Sequence, residues 1–209
     1  MAKVRQGILG GFRGRVGNIV GTGWKGIAVM KSLPLSVANP RTAGQVLQRN
    51  RFRSLVKLGT SILASIVKPL WDRFASNMSG FNAFISANQS AFQNNGEWDY
   101  AKLVISRGRM LAPFPSGANI SGSNFQIEIL NPIGDRFALP SDNIFILILD
   151  SMDMSPRFAG QVAQTRGSNA TVNVSGNLQN TDVIKGDTVV YAAYLRADGS
   201  EVSNSNYGV

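Results

Sequence analysis

Glycine is concentrated at the start of this 209-residue chain, where eight of its 22 glycines occur within the first 26 residues. Apolar residues such as Ile8, Val16 and Ile27 are interleaved with them. Because glycine raises the entropic cost of ordering a backbone, this segment does not form a stable isolated helix. It is nevertheless too apolar for a solvated linker. We therefore expect a glycine-rich basic arm over residues 1–38 that becomes ordered against its own body or a neighbouring subunit.

The arm contains the residues that we predict to form an assembly interface. Its apolar side chains would be buried on an adjacent subunit, and its cations would pair with acidic groups there. Glycine would allow close backbone approach, and the stretch 26–31 would form a short strand. The predicted interface residues are Phe12, Arg13, Arg15, Ile19, Val20, Trp24 and Lys25.

Positive charge is unevenly distributed along the sequence. Residues 1–73 contain thirteen Lys and Arg residues and one acidic residue, Asp72, whereas the remainder contains eight basic and eleven acidic residues. Such asymmetry favours contact with an acidic partner: nucleic acid, an anionic lipid surface, or an acidic protein face, including one on another copy of this chain. Candidate nucleic-acid contacts are Arg49, Arg51, Arg53 and Lys57, and the alternative is a solvated helix face or an acidic subunit contact.

Apolar spacing predicts a small helical domain over residues 39–96. Asn39 is a suitable N-cap, Pro40 suits the first helical position, and apolar residues then recur at steps of three and four. Pro69 is expected to end or kink this helix. Further helical stretches are predicted over 70–77 and 80–92.

The apolar period changes from about 3.6 to 2 after residue 100, which predicts a β-domain over residues 97–209. Seven short strands with frequent turns are typical of an antiparallel β-sandwich. The absence of core cysteines favours the fibronectin type III kind over antibody-like immunoglobulin domains, and the predicted fold class is α+β. The expected strands cover residues 102–106, 124–130, 144–149, 157–164, 170–174, 188–195 and 201–206.

The composition argues against most enzyme classes. The chain has no cysteine and no histidine, which excludes thiolate nucleophiles, Cys/His zinc sites and Ser-His-Asp triads. Gly21–Gly26 matches a dinucleotide-binding fingerprint, but no βαβ pattern surrounds it, so we interpret the match as chance. We predict no catalytic residues, no metal site, no cofactor and no small-molecule substrate.

Neither a secretory signal nor a membrane span is expected. Arg13 and Arg15 interrupt the N-terminal stretch before an apolar signal core forms, and no apolar run approaches about 18 residues. We expect a virion location if the protein is phage-encoded, and a cytoplasmic one otherwise.

The N-terminal glycine spacing coincides with a Trp-Lys-Gly-Ile sequence at 24–27. The distinctive stretches are residues 1–12, 14–21, 24–27, 39–42 with Gln45, Gln48 and Arg49, 198–199 and 202–207. In them the chain resembles a family of uncharacterised proteins found in Bacteroidetes and their mobile elements. The resemblance implies a non-enzymatic protein, often encoded near phage-like genes. Residues 39–49 also resemble short segments of tailed-phage structural proteins.

These observations predict a structural, self-assembling protein, a component of a bacteriophage virion or phage-derived particle, that forms homo-oligomers and contacts other structural proteins. One alternative is a nucleic-acid-binding protein without sequence preference, which uses the basic first third of the chain. Another is a surface adhesive or binding module based on the sandwich.

Overall fold

A computed structural model describes residues 3–4, 11–24, 27–34, 36, 39–121, 124–132, 135–167, 171–174 and 188–208. Contacts divide the chain into two compact units, Met1–Thr42 and Ala43–Val209. Helices and antiparallel sheets together confirm the predicted α+β class. The expected regions 39–96 and 97–209 lie almost entirely in the second of these units.

The first unit contains a four-stranded antiparallel sheet in chain order. Its strands are β1 (Lys3–Val4), β2 (Phe12–Val16), β3 (Ile19–Trp24) and β4 (Ile27–Ser32). β4 corresponds to the short strand expected over 26–31, whereas the other three strands were not predicted. A two-residue turn at 17–18 joins β2 to β3, and Gly17 adopts a positive φ of 55° there. Positive φ is what a tight hairpin turn requires and what glycine adopts at little cost.

Helices open the second unit. They are α1 (Ala43–Ser61), a π-helical turn (Leu63–Val67), α2 (Lys68–Trp71) and α3 (Gly80–Ala87), followed by a 3₁₀ turn (Tyr100–Lys102). α1 begins three residues after Pro40, and the two later helices are shorter than expected. Pro69 does not end the helical region, but it lies in α2 directly after the π-helical turn, where the regular α-helical bonding is interrupted.

Seven strands complete the second unit: β5 (Phe114–Ser121), β6 (Asn124–Leu130), β7 (Asn143–Asp150), β8 (Pro156–Thr165), β9 (Thr171–Val174), β10 (Thr188–Leu195) and β11 (Asn206–Gly208). They form two antiparallel sheets, ordered β11-β10-β7-β8 and β5-β6-β9. The strand expected over 102–106 is absent there, since that stretch contributes Leu103 and Ile105 to the core without strand pairing.

Strands β7 and β10 are buried on both faces of their sheet. Leu147 and Tyr191 pack into a cluster with helix residues such as Leu55 and Phe84. Ile146 and Ala192, on the other face, pack into a second cluster with residues of β6 and β9. Because the apolar run of β7 needs cover on both sides, the helices and the strands share one folded unit.

Candidate interaction surfaces

The N-terminal sheet exposes apolar side chains on both of its faces. Register pairs Val20 with Lys31 and Gly21 with Met30, so successive residues of β3 and β4 alternate between the faces. On one face, Ile27 is 61% exposed and Val29 is 40% exposed. On the other face, Val16 is 56%, Ile19 is 47% and Met30 is 69% exposed. The described side chains of this unit therefore leave much apolar surface open on each face.

Close packing within this sheet depends on glycine. A Cβ atom at Gly21 would lie 2.3 Å from the carbonyl oxygen of Phe12 and 2.6 Å from its ring. Real Cβ atoms do not approach other atoms so closely. The strands can therefore reach this separation only because Gly21 has no side chain.

The predicted assembly residues fall mainly on β2 and β3. Phe12 and Val20 are partly buried, while Arg13, Arg15 and Ile19 are exposed. Trp24 ends β3, and Lys25 lies outside the described residues. The structure thus brings six of the seven residues onto one hairpin, but as members of an ordered sheet and not of an extended arm.

Helix α1 carries three of the four predicted nucleic-acid contacts on its solvent side. Arg49, Arg53 and Lys57 are exposed and follow one another at intervals of four residues. A rise of 1.5 Å per residue places their Cα positions about 6 Å apart along the helix. Leu55 and Leu58 mark the opposite, buried side of the helix. These three cations form the α1 basic stripe.

Arg51 does not belong to the α1 basic stripe. It is partly buried, and its guanidinium donates hydrogen bonds to the carbonyl oxygens of Gln93 and Asn94, the second at 2.9 Å. Its position is about 160° from Arg49 around the helix axis, since each residue advances 100°. Arg51 is therefore close to the other three cations in the sequence but lies on a different side of the helix.

An exposed aromatic side chain lies beside the α1 basic stripe. Phe52 is 51% exposed, although it belongs to the series of apolar residues at steps of three and four that predicts this helix. Together with Gln48, Arg49, Arg53 and Val56 it lines a recess at the surface. Phe52 lies about 60° around the helix from Leu55 and about 20° from Gly59, both buried, so helical spacing alone does not identify its outward position.

A small cleft lies between α1 and the turn that joins β7 to β8. Its volume is about 180 Å³, and Lys57, Trp98 and Asp153 are among its lining residues. A hydrogen bond from the hydroxyl of Ser155 holds the pKa of Asp153 below its usual range. The cleft thus places an ammonium and a carboxylate around one recess, and the sequence did not predict it.

Buried charges connect the loops at one end of the two sheets. The guanidinium of Arg166 lies 3.2 Å from a carboxylate oxygen of Asp135 and 3.7 Å from one of Asp142, and all three side chains are almost completely buried. The same guanidinium lies 4.4 Å from the centre of the Tyr194 ring. Across the described part of the chain, no three His, Cys, Asp or Glu residues are grouped as metal ligands. The contacts of Arg166 with both carboxylates make this cluster a buried ion pair network.

No helix in the described part of the chain combines the length and apolarity needed to cross a bilayer.

Comparison with known proteins identifies one related group. A family model, described as a family of unknown function (DUF6266), matches residues 11–208. No curated protein and no solved structure matches the chain. The matched region includes strands of the N-terminal sheet and nearly all of the second unit.

Proposed function

We propose that this chain, which belongs to the family of unknown function DUF6266, is a non-enzymatic structural protein that assembles with copies of itself through its N-terminal sheet. The observation that carries the proposal is the exposure of apolar side chains on both faces of that sheet. An antiparallel sheet usually packs one face against a core, and water contact with both apolar faces is unfavourable. Burial on a neighbouring subunit would remove this cost at about 25 cal/mol per Å².

The edge of the N-terminal sheet supports the same proposal. β4 is the last strand in the sheet order and has a strand partner on one side only among the described residues. All six of its residues are exposed, and its sequence is Ile-Ala-Val-Met-Lys-Ser. Edge strands are commonly protected by several charges, proline or a bulge, whereas β4 has one cation, Lys31. A neighbouring subunit would cover this edge.

Charge distribution favours a head-to-tail contact. Residues 1–42 contain seven basic residues and no acidic residue, and all twelve acidic residues lie in Ala43–Val209. Two N-terminal sheets facing each other would bring like charges together. We therefore propose that the N-terminal sheet of one copy contacts the second unit of the next copy. Such heterologous contacts produce closed rings or open filaments.

The second unit would supply a rigid body of the fibronectin type III or immunoglobulin-like kind. In constant immunoglobulin domains, the first, second, fourth and fifth strands form one sheet, and the third, sixth and seventh form the other. β5 to β11 follow this division except that β8, the fourth of the seven, pairs with β7. This strand order, and the core that the two sheets share, support a β-sandwich.

The N-terminal and C-terminal resemblance to proteins of Bacteroidetes mobile elements makes a virion or a phage-derived particle the setting that we propose for the assembly.

Light scattering of the full chain over a concentration series tests the assembly. We expect a mass that is a multiple of 22.5 kDa, that grows with concentration and that falls at high salt. Val29→Asp and Met30→Asp each place a carboxylate on one face of β4 and should reduce the mass to that of a single chain. Met152→Asp is the matched control, because Met152 is 85% exposed on the turn between β7 and β8 and should leave assembly intact. A wild-type monomer at every concentration would refute the proposal.

A further inference from the structure

We infer that the α1 basic stripe binds the phosphate backbone of a single-stranded nucleic acid, with the ring of Phe52 stacked on a base. This activity is independent of assembly through the N-terminal sheet. It rests on the arrangement of Arg49, Arg53 and Lys57 along one side of α1 and on the exposed aromatic ring next to them.

The α1 basic stripe is a row of cations without acidic neighbours in sequence. Its members are spaced by about 6 Å and span about 12 Å along the helix. No acidic residue precedes Asp72, so α1 itself contributes no carboxylate, and Asp153 on the turn between β7 and β8 shares the small cleft with Lys57. A row of like charges attracts a partner that carries negative charge at repeated intervals. A phosphate backbone has that property, and its binding releases condensed counterions.

Phe52 makes a single strand the preferred partner. Half of its surface is open, and it lies between Arg49 and Arg53 in the sequence and beside Val56 on the helix. Proteins that bind single strands combine a basic track for the backbone with aromatic rings on which bases stack. In a duplex the bases already stack on each other, so the ring would have no role there.

An anionic membrane surface fits these residues less well. Interfacial helices bury a broad apolar face that includes several large side chains. The exposed large apolar residues of α1 are Val46 and Phe52. Two such residues give a narrow apolar area beside three cations, which suits one stacked base better than a lipid layer.

Fluorescence anisotropy of a labelled 20-nucleotide oligodeoxythymidine with the full chain tests the inference. A triple variant, Arg49→Gln with Arg53→Gln and Lys57→Gln, should weaken binding at least tenfold. It should also lower the slope of log affinity against log salt by about 2, since each single-strand phosphate contact contributes about 0.7. Phe52→Ala should weaken binding at least about fivefold and leave the salt slope unchanged.

The control removes the same charge elsewhere in the second unit. Arg107, Arg109 and Arg136 are all exposed, and their combined change to Gln should alter the affinity less than threefold. Circular dichroism melting of every variant should give the wild-type transition, which separates lost contacts from lost folding. An equal loss in both triple variants would overturn the inference.

Two further probes distinguish other partners. A 20-base-pair duplex should bind more weakly than the single strand and should not respond to Phe52→Ala. Tighter duplex binding that ignores Phe52 would overturn the single-strand assignment. If the protein sediments with phosphatidylserine vesicles and does not bind the oligonucleotide, the partner is a lipid surface. That result would also overturn the inference.

Discussion

The guanidinium of Arg51 donates to the carbonyl oxygen of Asn94 across 2.9 Å, and this contact ties the inward side of α1 to the loop after α3. A second bond from Arg51 reaches the carbonyl oxygen of Gln93. Arg51 therefore contributes to folding, whereas Arg53, two residues further along α1, is exposed to solvent.

Arg51→Met should lower the free energy of unfolding by about 1–3 kcal/mol, because two carbonyl groups lose a charged donor. Arg53→Met should change it by less than about 0.5 kcal/mol, as is usual for exposed positions. Urea denaturation of both variants measures the difference. If both variants lose the same free energy of unfolding, the hydrogen bonds of Arg51 make no net contribution to stability.

Helices and strands of the second unit should unfold together. Leu147 lies on β7 and packs in the same cluster as helix residues Leu58 and Ile66. Leu147→Ala should cost roughly 2–5 kcal/mol through lost burial and a residual cavity. Hydrogen exchange measured by mass spectrometry should show the same loss of protection in α3 and in β10. Loss of protection in β10 alone would indicate two independent folding units.

Gly21→Ala should disrupt the N-terminal sheet and abolish assembly. The added methyl group would meet the Phe12 carbonyl oxygen at 2.3 Å, so β2 and β3 would have to separate. Gly44→Ala is the control, because a Cβ atom there meets nothing within 4 Å, so the substitution should leave assembly unchanged. Light scattering reports both variants, and normal assembly of Gly21→Ala would contradict the proposed role of this sheet.

Tyr194 should make the second unit sensitive to alkaline pH. Burial raises the pKa of Tyr194 to about 12, whereas tyrosine in an unfolded chain titrates near 10. The stabilisation is complete below pH 10 and is lost as the pH rises from 10 to 12, because only the unfolded chain releases its proton there. The loss at pH 11 is on the order of 1 kcal/mol.

The comparison that isolates this group is wild type against Tyr194→Phe, with the free energy of unfolding measured at pH 9 and pH 11. The variant lacks the hydrogen bond from Tyr194 to Asn131 and should be less stable at pH 9. Its further decline at pH 11 should be smaller than that of the wild type. Parallel declines would exclude Tyr194 as the titrating group.

Much of the second unit follows from local sequence patterns. Alternating apolar and polar residues predict β6, and continuous apolar runs predict β7 and β10. The continuous runs are informative because both faces of β7 and β10 are buried. β5 escapes such prediction, since Phe114-Pro-Ser-Gly117 has the composition of a turn. Strands β1 to β3 are not predicted because glycine density indicates backbone freedom, and only cross-strand contacts such as that of Phe12 with Gly21 reveal an ordered sheet.

The α1 basic stripe could be predicted only in part. Helical spacing places Arg49, Arg53 and Lys57 on one side, but the sequence does not reveal that the carbonyl groups of Gln93 and Asn94 bind Arg51 from a distance of more than forty residues. Tertiary contacts of that kind decide which cations remain at the surface.

The enclosure of β7 has a consequence for how this protein tolerates change. Every residue from Ile144 to Leu149 is buried, with helices on one side and a second sheet on the other. A substitution at any of these six positions meets packed atoms. When a library of single variants is selected for folding, variants should therefore be lost at every position of the strand and not only at alternate residues. New binding properties would arise at exposed positions such as Glu128 and Leu130 of β6 and Arg53 of α1, where a changed side chain meets solvent.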